Sequence, residues 1–166
     1  MSKPAKTRFV AFVAAMSALS NALGLLVIPT GLVTLHLAQL LVVFSGLAAG
    51  SVAGGLVGFF GTFVMAFTLA RPNPYVIGGN AILGFLTGFF YLRIKGMSNR
   101  LILPHMISVA LAYVVQFPYV YVTDVYLMGM PNLVVVGILS VLFIEDLISA
   151  LISHVILYRV DVHALL

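Results

Sequence analysis

No charged side chain stands between Leu32 and Leu69. The whole 166-residue chain holds eight Lys and Arg and four Asp and Glu, which is 7% of its residues, while 63% are apolar. A soluble domain carries about 25% charge and could not cover its surface with so few. Disorder requires the opposite balance, low hydrophobicity with high charge. The composition therefore predicts a polytopic membrane protein. A spanning helix needs about 20 mostly apolar residues, so six of them fill the chain and leave only short connections.

Breaks in the apolar runs place the spans near 9–28, 34–48, 52–69, 75–92, 101–122 and 132–158, all within one membrane domain over 1–166. Pro118 predicts a kink late in the fifth span, because proline removes a helical donor and crowds the preceding turn. The boundary between the second and third spans, at Ala49-Gly50-Ser51, carries no charge, so a re-entrant hairpin is an alternative there. Six spans put Lys3, Lys6, Arg8, Arg93, Lys95, Arg100 and Arg159 on one side and Arg71 alone on the other. Basic residues favour the cytoplasmic face, so both termini are expected there, at the cell membrane. The run after Arg8 is too long for the core of a cleavable signal peptide.

Small residues recur at steps of four. Ala14, Ala18 and Ala22, with Ala11 and Ala15 beside them, line one face of the first span. Gly46, Gly50, Gly54 and Gly58 repeat the spacing across the next two spans, and Gly84 and Gly88 add to it in the fourth. Small residues let helix backbones approach closely in lipid. For the glycines the simplest reading is packing within the chain. The regular alanine stripe suits a partner subunit.

Glu145 and Asp146 stand in the middle of the sixth span. A carboxylate at that depth costs at least ~2.5 kcal/mol and defaults to a functional hypothesis; the competing reading is that the two are protonated, or hydrogen-bonded to another span, and only hold the bundle together. Adjacent residues on a helix point about 100° apart, so the two acids do not share one partner. Ser149 continues the stripe of Glu145. His36, Gln39, Asn80, Tyr113, Gln116 and His154 are internal polar groups within possible reach. The candidate substrate residues are His36, Asn80, Tyr113, Gln116, Tyr119, Asp124, Glu145, Asp146 and Ser149. Tyr113 and Gln116 share a helix face, and aromatic walls with few fixed polar groups suit a small heterocycle.

Other classes find no support. The chain has no cysteine, no G-x-x-x-x-G-K-[ST] loop and no H-E-x-x-H pair. No nucleophile, base and orienting group can be assembled, so no catalytic residue, metal site or cofactor is expected. The basic residues report membrane topology, and no nucleic-acid partner is expected.

Taken together, the stripe Ala14-x-x-x-Ala18-x-x-x-Ala22, the junction Gly46–Gly55, the segment Asn80–Gly88 and Ile144-Glu145-Asp146-Leu147-Ile148 resemble the substrate-binding S component of an energy-coupling factor (ECF) transporter. The resemblance runs from about Arg8 to Arg159. It implies a six-span bundle that binds a vitamin-like micronutrient at its outer side and works with a membrane T component and two ATPases. It also implies that Ala11, Ala14, Ala15 and Ala18 face the T component, and that the Pro29–Val33 loop helps close over the substrate. With acids outnumbering bases near the site, the expected ligand is a neutral or amine-bearing heterocycle, such as a thiamine-, pyridoxine- or deazapurine-like compound. A folate-like polyanion is disfavoured. The alternatives are a membrane scaffold of the rod-shape determinant type and a stand-alone small transporter.

Overall fold

The computed structural model describes residues 3–29, 34–68, 72–97 and 102–159. Helix α1 spans Lys3–Gly24, and two short strands follow, β1 (Val27–Pro29) and β2 (Thr34–His36). Then come α2 (Ala38–Ala49), α3 (Ser51–Phe60), α4 (Phe63–Thr68), α5 (Tyr75–Ile94), α6 (Leu103–Val122) and α7 (Asn132–Arg159). With α3 and α4 forming one broken path, the chain makes six helical passes. Four stretches are long and apolar enough to cross a bilayer: Lys6–Gly24, Tyr75–Ile94, Leu103–Leu127 and Asn132–Arg159.

The molecule is polar inside and apolar outside. Ser20, Ser45, Thr87, Ser108, Asp146 and Ser153 are fully buried, while Val52, Phe60, Val114, Ile144 and Val155 are about half exposed. In water such an apolar surface would associate without limit. Against lipid tails it is the expected exterior. The buried apolar residues, among them Val42, Val43, Val57, Leu83, Val109 and Leu139, fill the seams between helices.

The glycine seam is packing within the chain, at α2, α3 and α5. A methyl group on Gly54 would overlap the Gly84 carbonyl, and one on Gly58 would overlap the Asn80 carbonyl. A methyl on Gly46 would come within 2.7 Å of the Gly84 oxygen. Backbone thus lies on backbone, which only residues lacking a side chain permit. Gly50 turns the chain between α2 and α3 at φ +86°, a left-handed value suited to glycine.

Several predicted boundaries shift. The first span was expected to reach Ile28, and the second to begin at Thr34. Instead α1 ends at Gly24, and Val27–Pro29 pairs antiparallel with Thr34–His36, Val27 opposite His36. These residues are apolar enough to pass for span ends, so only the pairing reveals them as a hairpin. Thr30–Val33 and Leu69–Arg71 lie outside the described residues, as do Arg100 and Asp161.

The third span breaks at Gly61-Thr62. Asn21 of α1 mends that break: its amide donates to the Phe60 carbonyl at 2.8 Å, and its oxygen accepts from the Val64 N–H at 2.9 Å. The fifth span does not end at Val122 but continues as a π-helical turn over Thr123–Leu127. The stretch between the fifth and sixth predicted spans is therefore helical over Thr123–Leu127. Pro118 lies within α6, less than two turns before the π-helical residues.

Candidate functional site

Helix α7 turns its acids inward because its other faces are mostly apolar. Glu145, Asp146, Ser149 and Ser153 are buried, and Ile144, Ile148, Leu151, Ile152 and Val155 point outward. Glu145 accepts the backbone N–H of His36 at 3.2 Å, which ties the hairpin to α7. The His36 imidazole is half-buried, and burial moves its pKa below the usual value of 6.5, against the opposing pull of a backbone hydrogen bond with Gly24. Asp146 is completely buried, and among the described residues neither of its oxygens has a hydrogen-bond partner. An unpartnered carboxylate in such surroundings is costly.

Across from α7, helix α6 presents Tyr113 and Gln116 on its buried face. Tyr113 lies within electrostatic reach of Asp146, and its ring tilts against Phe143 at 4.9 Å. Its hydroxyl donates to the Leu139 carbonyl at 2.6 Å, so that group joins α6 to α7. The Gln116 amide donates to the Gly79 carbonyl of α5 at 3.0 Å, and its own oxygen has no partner among the described residues. Asn80, next along α5, donates to the Val76 carbonyl at 3.0 Å, and its oxygen is likewise unpartnered.

The remaining candidates lie towards the ends of α5 and α6. Tyr119 sits over Gly78 and donates to the Tyr75 carbonyl at 3.2 Å, clasping the two helices. Asp124, expected in an outer loop, is buried in the π-helical turn and accepts from the Asn73 amide at 2.8 Å. Asn73 escaped the sequence reading because a loop Asn between two prolines reads as turn chemistry. Its oxygen accepts the Tyr75 N–H at 3.1 Å, and its own N–H donates to the Ala66 carbonyl at 2.8 Å. Gln39, buried at the start of α2 with an unpartnered oxygen, belongs with the site candidates. His154 packs instead against His105, with ring centroids 4.9 Å apart. Among the described residues no cluster of three potential metal ligands exists.

On α1 the buried face is Val13, Ser17, Ser20 and Gly24. Ala11, Ala14, Ala15, Ala18 and Ala22 lie on the opposite, exposed side. Among the described residues the alanine stripe is thus left without a packing partner, unlike the glycine seam.

A six-pass helical bundle that buries amides and carboxylates inside an apolar exterior is a multi-pass membrane protein of the small-molecule binding kind. The chain belongs to the family of S components of ECF-type riboflavin transporters, whose model matches residues 4–162. The fold agrees. A solved structure, described as the structure and mechanism of the S component of a bacterial ECF transporter, superposes with a TM-score of 0.71. The two share 19% identity, and the match covers 93% of this chain and 95% of that one. No curated protein matches the chain. The protein is therefore the substrate-binding subunit of an ECF transporter and not an enzyme, which selects the S-component reading over the scaffold and the stand-alone transporter.

Proposed function

We propose that this subunit captures a riboflavin-type vitamin and hands it to an ECF module made of a T component and two ATPases. The family supports riboflavin as the ligand. That compound is a largely neutral heterocycle, so it falls in the class expected from the charge balance, although it is not one of the three examples named there. The observation that carries the reading is a group of buried side-chain oxygens without partners among the described residues, Asn80 Oδ1, Gln116 Oε1 and both oxygens of Asp146 among them. Buried polar groups are almost always satisfied, and a ligand supplies what these lack. Tyr113 and Phe143 offer an aromatic wall beside them. His36, Tyr119, Asp124, Glu145 and Ser149 support this site from its margins.

The whole chain, 1–166, acts as one membrane domain. An even number of passes puts both termini on one side, and the seven-to-one division of basic residues favours the cytoplasm for that side. Ala11, Ala14, Ala15 and Ala18 serve as the docking face for the T component, since they are small, exposed and unused by the bundle.

Equilibrium binding of a vitamin panel to the purified chain tests the reading. Riboflavin is expected to bind and raise the melting temperature. Tight binding of a dicarboxylate alone would sink it.

A further inference from the structure

Asp146 is a carboxyl group with nothing beside it to hold a negative charge. It is fully buried, and among the described residues neither oxygen has a hydrogen-bond partner. The helices packed most closely against α7 are α2 and α6. Neither contains a Lys or Arg, and α7 has none before Arg159. His105 and His154 pack against each other, and His154 stands about two turns further along α7, roughly 12 Å away. Glu145 accepts the His36 N–H at 3.2 Å, so any negative charge on the pair is better placed there. Adjacent acids in such a place do not both ionise, and a lone buried carboxylate is neutralised instead. Asp146 therefore keeps its proton. A protonated carboxyl offers one O–H donor and one carbonyl acceptor side by side.

We propose that Asp146, as the neutral acid, recognises a cyclic imide edge of the ligand through two parallel hydrogen bonds. Its O–H donates to a ring carbonyl, and its own carbonyl accepts the adjacent ring N–H. This rests on riboflavin as the ligand, whose ring carries one N–H between two carbonyls. The aromatic wall stands at the same place. Tyr113 is within electrostatic reach of Asp146, Phe143 lies one turn before Asp146 on α7, and the two rings meet at 4.9 Å. A flat heterocycle lying along that wall turns an edge towards the carboxyl. An ionised Asp146 would accept the N–H but set oxygen against the ring carbonyl, whereas the neutral acid matches both atoms. A site built around specific hydrogen bonds discriminates strongly against a ligand that leaves them unmade.

The test compares riboflavin with riboflavin methylated on its imide nitrogen, which loses the N–H and keeps everything else. The wild-type chain is expected to bind riboflavin at least tenfold more tightly than the methylated compound. Asp146→Asn keeps one donor beside one acceptor and is expected to retain that preference. Asp146→Leu, which has neither, is expected to bind the two within threefold of each other. Infrared difference spectra read the proton itself: the band of a protonated carboxylic acid is expected in the ligand-free chain, shifted by riboflavin and lost in D146N. Equal binding of the two flavins by the wild type overturns the inference, as does a preference that survives in D146L. So does the absence of that band, which means an ionised Asp146, or a band that riboflavin leaves unmoved, which assigns the proton to a partner inside the bundle. Tight binding of both flavins sinks this inference alone. No binding of riboflavin sinks the ligand reading and this inference with it.

Discussion

The His36 backbone N–H and the Glu145 carboxylate meet at 3.2 Å across 109 residues of sequence. One bond therefore couples the hairpin after α1 to the middle of α7. Glu145→Gln keeps an acceptor for that N–H while removing the carboxylate. We expect it to stay folded, with a melting temperature within about 3 °C of wild type, and to bind ligand at least ~10-fold more weakly. Glu145→Ala should in addition lose about 1 kcal/mol of stability, read as a lower melting temperature in detergent.

The same hairpin gives a pH dependence. Burial holds the His36 pKa below 6.5, so the unfolded chain takes up this proton first as the pH falls. Where the unfolded state binds more protons, stability rises with pH. The contribution of His36 is thus constant above about pH 6.5 and declines as the pH drops from there towards its lower folded value. Melting curves between neutral and mildly acidic pH should show this decline, and His36→Gln should flatten it. An unchanged slope in that variant assigns the decline to other groups.

Asn73 ties the start of α5 to the π-helical turn through Asp124 at 2.8 Å and Tyr75 at 3.1 Å. Asn73→Ala leaves a buried carboxylate without its donor. The expected loss is about 2–3 kcal/mol, larger than for an ordinary hydrogen bond because the acceptor stays buried. Adding Asp124→Ala should restore part of it, since contacting residues are not additive.

Gly54→Ala and Gly58→Ala place a methyl group into the backbones of Gly84 and Asn80. Each should cost at least 1–3 kcal/mol, roughly the range for overpacking. Gly137→Ala is the control, since its added carbon meets nothing within 4 Å. It should be neutral or stabilising by up to about 1 kcal/mol, from helix propensity alone.

The exposed alanines of α1 give a prediction about assembly. Ala14→Leu and Ala18→Leu should leave melting temperature and ligand affinity of the isolated subunit unchanged. Co-purification with the T component and ATPases should fall at least ~10-fold, because bulk at a small-residue face blocks close approach. Undiminished complex formation would move the docking face elsewhere.

The layout of the bundle was legible because lipid imposes it. Apolar runs between sparse charges located all six passes, and the inward acids of α7 stood out against their neighbours. The β-hairpin was not legible: Val27–Pro29 and Thr34–His36 have the same apolar character as the span ends they adjoin. Nor was the break at Gly61-Thr62, which Asn21 stabilises from another helix. Tyr113 and Gln116 were rightly placed on one buried face, but no local pattern indicates that the tyrosine hydroxyl is engaged by Leu139. The burial of Asp124, which falls between two predicted spans, was not legible because its partner, Asn73, comes from a distant loop. What pattern reading supplies is the face a residue lies on; which of its atoms remains free depends on neighbours far along the chain.

The contact of α2 and α3 with α5 is made largely of main-chain atoms, with Gly46, Gly54 and Gly58 against Gly84 and Asn80. Few side chains reach that contact, Val42 and Thr87 among them, so little can change rotamer to absorb a displacement. Those three helices must therefore translate and tilt as one slab. Compliance is left to parts that polar bonds tether: the hairpin tied to α7 by Glu145 and the π-helical end of α6 tied by Asn73. Sliding at ligand entry would occur at those two seams, with the glycine slab as the fixed frame.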